Sequence, residues 1–248
     1  MNQSPTNPDN PPRLAVLSDL HGNLSALTAV IERLKQIKPQ AVVVLGDLVG
    51  YLCRPNQVVR TVRDAGWPCL QGNYDLAVLT GGSAGVDKYL KPGIGPEPRA
   101  VFDWSDKRTN QASRDYLGSL PGAIRMSAGG LSLLACHGSP THVRQYIYPD
   151  HPQDQLDRLV EDSGVQVVLM GHTHRPMVRH AGGGLAVNPG SVGKPKDGDP
   201  RASLALLELG EKPRAEILRV PYDLETEARL LTENGMPPAT IQRLYAGT

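Results

Sequence analysis

Short apolar runs and a segment of helical periodicity alternate at the start of the chain. Arg13–Leu17 and residues 41–45 are compact apolar runs, which predict buried strands. Between them, apolar residues recur every three or four positions over Leu24–Ile37, which predicts an amphipathic helix with Asn23 as its N-cap. The order strand, helix, strand predicts two parallel neighbouring strands joined by a right-handed crossover.

The same two patterns continue to the end of the sequence. Apolar runs predict further strands over residues 69–70, 131–135, 165–170, 185–187, 203–209 and 215–220. Helical spacing predicts helices over residues 56–65, 105–117, 153–163, 222–234 and 237–245, with Ser105 as the cap of the second. The glycine- and proline-rich stretch 80–98 predicts a loop, so we expect a lid over about residues 80–100.

Length and composition are typical of one large α/β domain. The chain has 248 residues, and its asparagine- and proline-rich start predicts a disordered tail over residues 1–12 before a single domain over 13–248. Its 26 basic and 25 acidic residues give a net charge of +1, which lacks the basic footprint of a dedicated nucleic-acid binder. No apolar run reaches membrane-spanning length, and three cysteines without a disulfide pattern favour a cytoplasmic protein.

Metal-binding residue types follow the predicted strands. They occur in five short motifs: Asp19-Leu20-His21, Gly46-Asp47, Gly72-Asn73, Cys136-His137-Gly138 and Gly171-His172-Thr173-His174. Each motif alone is weak evidence, since Gly-Asp and Gly-Asn usually mark turns and a lone histidine is rarely a ligand. Five such motifs in series, each close to a predicted strand end, favour a metal site.

The spacing within these motifs suits shared coordination. Asp19 and His21 lie two residues apart, so an extended backbone points both side chains the same way, and His172 and His174 have the same spacing. Asp47 has two carboxylate oxygens, one for each of two ions. Oxygen and nitrogen ligands without thiolate suit Mn, Fe, Zn or Co. A pair of divalent ions can activate water and bind a phosphoryl group.

These motifs together resemble the calcineurin-like metallophosphoesterase superfamily, whose pattern runs D-x-H, GD, GN-H-D/E, H and GH-x-H. Residues 188–193 and 200–203 are similar to a branch of small bacterial phosphodiesterases. Residues 46–51 and the C-terminal Gly-Met-Pro helix resemble a group linked to diadenosine tetraphosphate hydrolysis. The resemblance implies an α/β fold with four layers, in which two mixed β-sheets are flanked by helices.

The resemblance also implies roles for the motif residues. One metal would be held by Asp19, His21 and His174, and the other by Asn73, His137 and His172, with Asp47 as the bridge. Mn is the expected metal, and Fe, Zn, Co, Ni and Mg are alternatives. A hydroxide bridging the metals would attack phosphorus in line with the leaving oxygen. Asp47, Asn73, Tyr74 and Asp75 are therefore the predicted catalytic group.

Tyr74 departs from the family pattern, in which many members have histidine at this position. A phenol, with a reference pKa near 10, is a poor proton donor at neutral pH. We therefore hypothesise a preference for diesters or activated leaving groups over alkyl monoesters; the alternative is that Tyr74 only packs over the site. Asp75 either orients a ligand or shapes its turn.

Several weaker candidates keep two interpretations. Asn23 either contacts phosphate or only caps the helix, and Arg175 either neutralises phosphate or forms a surface ion pair. Lys194, Lys196 and Arg201 lie either at the mouth of the cleft or in a solvated loop.

The predicted activity is hydrolysis of small phosphorylated substrates, namely cyclic nucleotides or dinucleoside polyphosphates. Two alternatives are a protein phosphatase or broad phosphomonoesterase, and a non-catalytic scaffold with the same fold. The scaffold is disfavoured because relatives of that kind lack metal ligands. We expect neither membrane nor dedicated nucleic-acid partners, and the sequence leaves the oligomeric state open.

Overall fold

The computed structural model describes residues 11–91 and 96–248 and contains two β-sheets. The strands are β1 Arg13–Leu17, β2 Ala41–Val44, β3 Ala123–Ala128, β4 Leu131–Cys136, β5 Val167–Leu169, β6 Pro176–Ala181, β7 Gly184–Pro189, β8 Ala202–Glu208 and β9 Arg214–Val220. The helices are α1 Leu24–Ile37, α2 Pro55–Asp64, α3 Asn73–Leu79, α4 Pro96–Arg108, α5 Gln111–Ser119, α6 Gln153–Ser163, α7 Leu224–Glu233 and α8 Pro238–Ala246.

Both sheets are mixed. The first has the strand order β2-β1-β8-β9, with β1 and β2 parallel and the other neighbours antiparallel. The second has the order β3-β4-β5-β7-β6, in which β4, β5 and β7 are parallel. Helix α1 connects the parallel strands β1 and β2, as the sequence predicts.

The alternation of side chains along β1 shows how the layers form. Leu14 and Val16 point between the sheets, where they pack in one cluster with Leu133 and Leu169 of the second sheet. Ala15 and Leu17 point the other way, into a cluster with α1 and α2. A third cluster joins the outer face of the second sheet to α6. The predicted four-layer sandwich of two mixed sheets flanked by helices is confirmed.

The loop prediction over residues 80–98 and the helix prediction over 105–117 are wrong in their bounds. A short 3-10 helix, Asp87–Tyr89, lies inside the expected loop, and α4 already begins at Pro96. Proline is well suited to the first turn of a helix, where its missing N–H is not needed. Ser105 is buried within α4 rather than capping a helix, whereas Asn110 caps α5 by accepting the N–H of Ser113.

Beyond these errors, three further elements among the described residues escape the sequence patterns. They are β3, β6 and α3. β3 alternates exposed and half-buried residues and has no fully buried position, so it shows no apolar run. α3 has only seven residues and is capped by Gly72, whose N–H donates to Asp75 three residues later.

Most of the predicted tail, residues 1–10, lies outside the described residues. Pro12 is already tied to the first sheet, because its carbonyl accepts the N–H of Leu209 at 2.9 Å. Within residues 11–91 and 96–248, no helix combines the length and apolar character needed to cross a lipid bilayer.

Candidate metal centre

The predicted ligands meet where the parallel strands of both sheets end. Asp19 follows β1 by two residues, and Asp47 follows β2 by three. In the second sheet, His137 follows β4 directly and His172 follows β5 by three residues. Because parallel neighbours end at the same edge of a sheet, these four side chains approach one another. This edge therefore places residues far apart in the sequence at one site.

Five of the predicted ligands have left-handed backbone conformations, so the extended backbone expected at the two His-containing pairs is wrong. Their φ angles are 55° for Asp19, 48° for His21, 54° for Asp47, 66° for His172 and 58° for His174. Such angles cost roughly 1–3 kcal/mol for a residue other than glycine and cluster at functional sites. Backbone hydrogen bonds between the loops hold the conformation, such as the Asp19 N–H to the Gly46 carbonyl at 3.0 Å.

The first group of donors contains Asp19, His21 and His174. Asp19 Oδ1 lies 3.7 Å from His21 Nε2 and 3.3 Å from His174 Nε2. The two imidazole Nε2 atoms are 3.2 Å apart. All three side chains are buried, and one donor atom from each lies within 4.8 Å of the others, which is close enough to surround one cation.

The second group is joined to the first by the carboxylate of Asp47. Asp47 Oδ2 lies 3.6 Å from His21 Nε2 and 3.5 Å from His137 Nε2. His137 Nε2 lies 3.0 Å from Asn73 Oδ1, and the rings of His137 and His172 are 5.1 Å apart. Asp47 therefore stands between the two sets of donors.

The outer ring nitrogens show which atoms face the centre. The Nδ1 atoms of His21, His137 and His174 lie 2.9, 2.7 and 2.5 Å from the backbone carbonyls of Val49, Leu45 and Lys194. Because a carbonyl only accepts, Nδ1 donates, and a neutral ring then directs its Nε2 lone pair inward. This is the usual arrangement of metal-binding histidines.

Those inward lone pairs need a cation. Two neutral imidazoles with Nε2 atoms 3.2 Å apart direct lone pairs at each other, which is repulsive. Asp19 Oδ1 and His172 Nε2 are buried and have no hydrogen-bond partner. Buried polar atoms are normally paired. The donor set therefore fits two divalent cations, which would occupy the unpaired positions.

The protonation states suit metal binding. Burial lowers the pKa of His21 to about 4 and of His172 to about 3, so both rings are neutral at physiological pH. Burial also lowers the pKa of His137, but the carboxylates of Asp47 and Asp19 and the Leu45 carbonyl together raise this pKa to about 10. The proton on His137 substitutes for a cation and must leave when a metal binds.

Asp75 lies beneath the site rather than in it. Its carboxylate accepts the N–H groups of Asp47 at 2.8 Å, Leu48 at 2.9 Å, Val49 at 3.3 Å and Gly72 at 2.9 Å. It thereby fixes the turn that carries Asp47 and the start of α3 that carries the neighbouring predicted ligand. Its placement favours the interpretation that Asp75 positions ligands.

A pocket of about 100 Å³ opens onto four of the predicted ligands, Asp47, Asn73, His172 and His174. Its remaining lining comes from Tyr51, Tyr74, Tyr146 and Lys196. Tyr74 packs its ring edge-on against His21, with centroids 5.3 Å apart, and its N–H donates to Asp47 Oδ1 at 2.7 Å. Sequence reasoning missed Tyr51 and Tyr146 as pocket residues. Tyr51 lies in the 46–51 motif, but its residue type is not that of a ligand, and Tyr146 belongs to no motif or periodic segment.

The weaker candidates occupy different places. The amide of Asn23 is engaged at both ends: it accepts the N–H of Ala26 and donates to the Gly193 carbonyl, which favours the capping interpretation. Arg175 is exposed, and its Nε donates to the Lys196 carbonyl.

The three basic residues of the loop after β7 also differ. Lys194 Nζ donates to the Thr248 carbonyl, Arg201 pairs with Asp199, and Lys196 reaches the pocket.

Comparison with known proteins agrees with this geometry. The model of the calcineurin-like phosphoesterase superfamily domain matches residues 13–212. An uncharacterized protein of Methanocaldococcus jannaschii is 32% identical over 252 residues, which cover 94% of this chain and 98% of that one.

Two solved structures are also similar. A metallophosphoesterase from Sphaerobacter thermophilus has 30% identity and a TM-score of 0.78, covering 96% of this chain and 100% of that one. A hypothetical protein from Pyrococcus horikoshii shares the fold with a TM-score of 0.85 at 24% identity, covering 95% and 98% of the two chains. The chain belongs to the calcineurin-like phosphoesterase superfamily.

Proposed function

We propose that this chain is a dinuclear-metal phosphodiesterase that hydrolyses small phosphorylated molecules. The observation that supports this most is the position of Asp47 Oδ2, 3.6 Å from His21 Nε2 and 3.5 Å from His137 Nε2. One carboxylate between two imidazoles from different loops suits a bridge between two cations. Cyclic nucleotides and dinucleoside polyphosphates are the substrate classes we propose.

Under this proposal, the two groups of side chains hold one cation each. Asp19, His21 and His174 hold the first, Asn73, His137 and His172 hold the second, and Asp47 contacts both. The bound cations, with Mn as the proposed metal, would supply an activated water near neutral pH and stabilise charge on the phosphoryl group.

The pocket walls contribute binding and orientation. Lys196 lines the same pocket as the metal-binding side chains and supplies positive charge for a phosphate oxygen. The surrounding tyrosines line a pocket of only about 100 Å³ beside the reacting group. A small, cationic, partly enclosed pocket suits one phosphoryl group rather than an extended polymer.

The proposed preference for diesters depends on Tyr74. It is 5% exposed, lines the pocket and packs against a predicted ligand, so its ring cannot leave without disturbing the site. Its phenol is a weak acid at neutral pH and gives little proton transfer to an alkoxide leaving group. Among the proposed substrates, those that release a phosphate group, such as dinucleoside polyphosphates, are therefore favoured over those that release a sugar alkoxide.

We expect the Mn-loaded protein to hydrolyse bis(p-nitrophenyl) phosphate with a kcat/KM roughly 100-fold above that for a phosphoserine peptide, since general acid catalysis contributes roughly 10²–10⁴-fold. Steady-state kinetics at pH 7.5 measures both. Tyr74→His should lower the ratio of the two kcat/KM values, because it restores a proton donor. The matched control Tyr74→Phe should leave this ratio unchanged. Faster hydrolysis of phosphoserine by the natural chain would contradict the diester preference and favour a phosphomonoesterase.

A further inference from the structure

Three aromatic rings form a continuous stack from the candidate metal centre to the surface. The Tyr146 ring stacks on His172, with centroids 4.1 Å apart and planes inclined by 30°. Tyr148 then stacks on Tyr146, with centroids 5.4 Å apart and planes inclined by only 5°. Tyr148 is 39% exposed, so the outer end of the stack faces solvent.

The segment carrying this stack is anchored firmly. Tyr146 and Tyr148 lie two residues apart and point the same way, while Ile147 between them is 1% exposed and packs in the core against α6. Arg179 of β6 donates to the carbonyls of Pro149 and His151, which fixes the chain just beyond. The parallel rings are therefore held in place by the fold around them and do not depend on a ligand for their orientation.

Two cationic side chains flank the rings. The Lys88 ammonium lies 4.6 Å from the centroid of the Tyr146 ring, and the Arg175 guanidinium lies 5.6 Å from that of Tyr148. The chain has eight tyrosines, one phenylalanine and two tryptophans, so aromatic residues are scarce. An anchored pair of parallel rings with adjacent positive charge suits a ligand that combines a flat π-system with a phosphate.

We propose that Tyr148, backed by Tyr146, is the stacking surface for a flat aromatic ring of the substrate, so that the preferred substrates are phosphoesters of nucleosides. This inference rests on the proposed function of the metal centre. The centroid separations of 4.1 Å between His172 and Tyr146 and of 5.4 Å between Tyr146 and Tyr148 set the distance that such a substrate spans between the centre and the stacking surface. Arg175 then covers the bound ring or contacts its adjacent phosphate.

The proposal is tested with Mn-loaded protein and three phosphodiesters that share p-nitrophenol as the leaving group. The second ester group of these substrates is methyl, phenyl or thymidine 5′-yl. We expect Tyr148→Ala to raise KM about tenfold for the thymidine ester, because base stacking on an aromatic side chain contributes at about this level. KM for the methyl ester should stay the same. If the substitution raises KM for the phenyl ester as much as KM for the thymidine ester, any flat ring suffices. If it raises KM for the phenyl ester less, the nucleobase is preferred. Both results support the stacking role.

Matched variants separate stacking from general damage. Tyr148→Phe retains the ring and should retain the natural KM values, whereas Tyr245→Ala removes another exposed tyrosine, which is 42% exposed on α8, and should change nothing. An equal change for all three diesters in Tyr148→Ala, or no change for any, would overturn the proposal.

A binding measurement separates this inference from the proposed function. Calorimetric titration of the Mn-loaded protein should show adenosine 5′-monophosphate binding about tenfold more tightly than ribose 5-phosphate, with the difference lost in Tyr148→Ala. If that difference is seen while no diester is hydrolysed, the phosphodiesterase proposal fails and the stacking surface stands. Equal affinity for the two phosphates in the natural chain would refute the stacking surface.

Discussion

Replacing Asp47 with asparagine is expected to lower kcat/KM by more than about 100-fold, since changes to residues that merely support metal ligands already cost roughly 10–100-fold. The oxygen that accepts the Tyr74 N–H is retained in asparagine, and this residue type tolerates the φ of 54° found here. The other oxygen, between His21 and His137, becomes an amide nitrogen that cannot bind a cation. The substitution therefore removes the proposed bridge and spares its surroundings.

Diester hydrolysis at saturating Mn measures the effect, and the far-UV circular dichroism of the variant should match that of the natural chain. Asp115→Asn makes the same chemical change at an exposed position on α5 and should keep full activity. Retention of more than half of the natural kcat/KM by Asp47→Asn would show that catalysis does not depend on this carboxylate.

Asp75→Asn is expected to lower the free energy of unfolding of the metal-free protein by about 3 kcal/mol, because it leaves two buried N–H groups without an acceptor. The carboxylate accepts four backbone N–H groups, two at each oxygen. In asparagine only one oxygen remains, and the amide group faces two donors. Burial, followed by the Asp47 charge, raises the pKa of Asp75 to about 7, so at pH 8, where the comparison is made, the carboxyl is ionised and its buried charge costs stability. Asparagine relieves that cost, which is why the expected loss lies near the lower end of the roughly 2–6 kcal/mol for two unpaired N–H groups.

Urea unfolding measures this loss, and a Mn titration of the same variant should show weaker metal binding, since the turn carrying Asp47 is no longer held. Asp115→Asn should change the unfolding free energy by less than about 0.5 kcal/mol, as expected for an exposed site. A variant with natural stability and natural Mn affinity would show that Asp75 does not position the turn.

The candidate ligands could be predicted because chemistry and topology coincide in the sequence. Asp19, Asp47 and His137 follow apolar runs closely, and consecutive strands joined by a helix are parallel, so their ends meet at one edge. The residue types then restrict what such an edge can bind. The sequence could therefore predict that these side chains lie close together, but not the angles and distances at which they meet.

The pocket walls could not be predicted in the same way. Tyr146 lies in the long connection between β4 and α6, where no periodic pattern fixes the path of the chain, and it reaches His172 only through tertiary folding. For Lys196 the sequence left two interpretations open, the mouth of the cleft or a solvated loop, because its position depends on the loop after β7, which crosses to the first sheet. The left-handed conformation of His172, with a φ of 66°, opposes local preference and is imposed by the surrounding structure.

The most direct test of the account is the position of metal in a crystal of Mn-loaded protein, located by anomalous diffraction. We predict two Mn peaks per chain, one near Asp19, His21 and His174 and the other near Asn73, His137 and His172. The carboxylate of Asp47 should lie between them. A single peak, or peaks remote from this carboxylate, would contradict the proposal that the strand-end residues hold a pair of neighbouring cations.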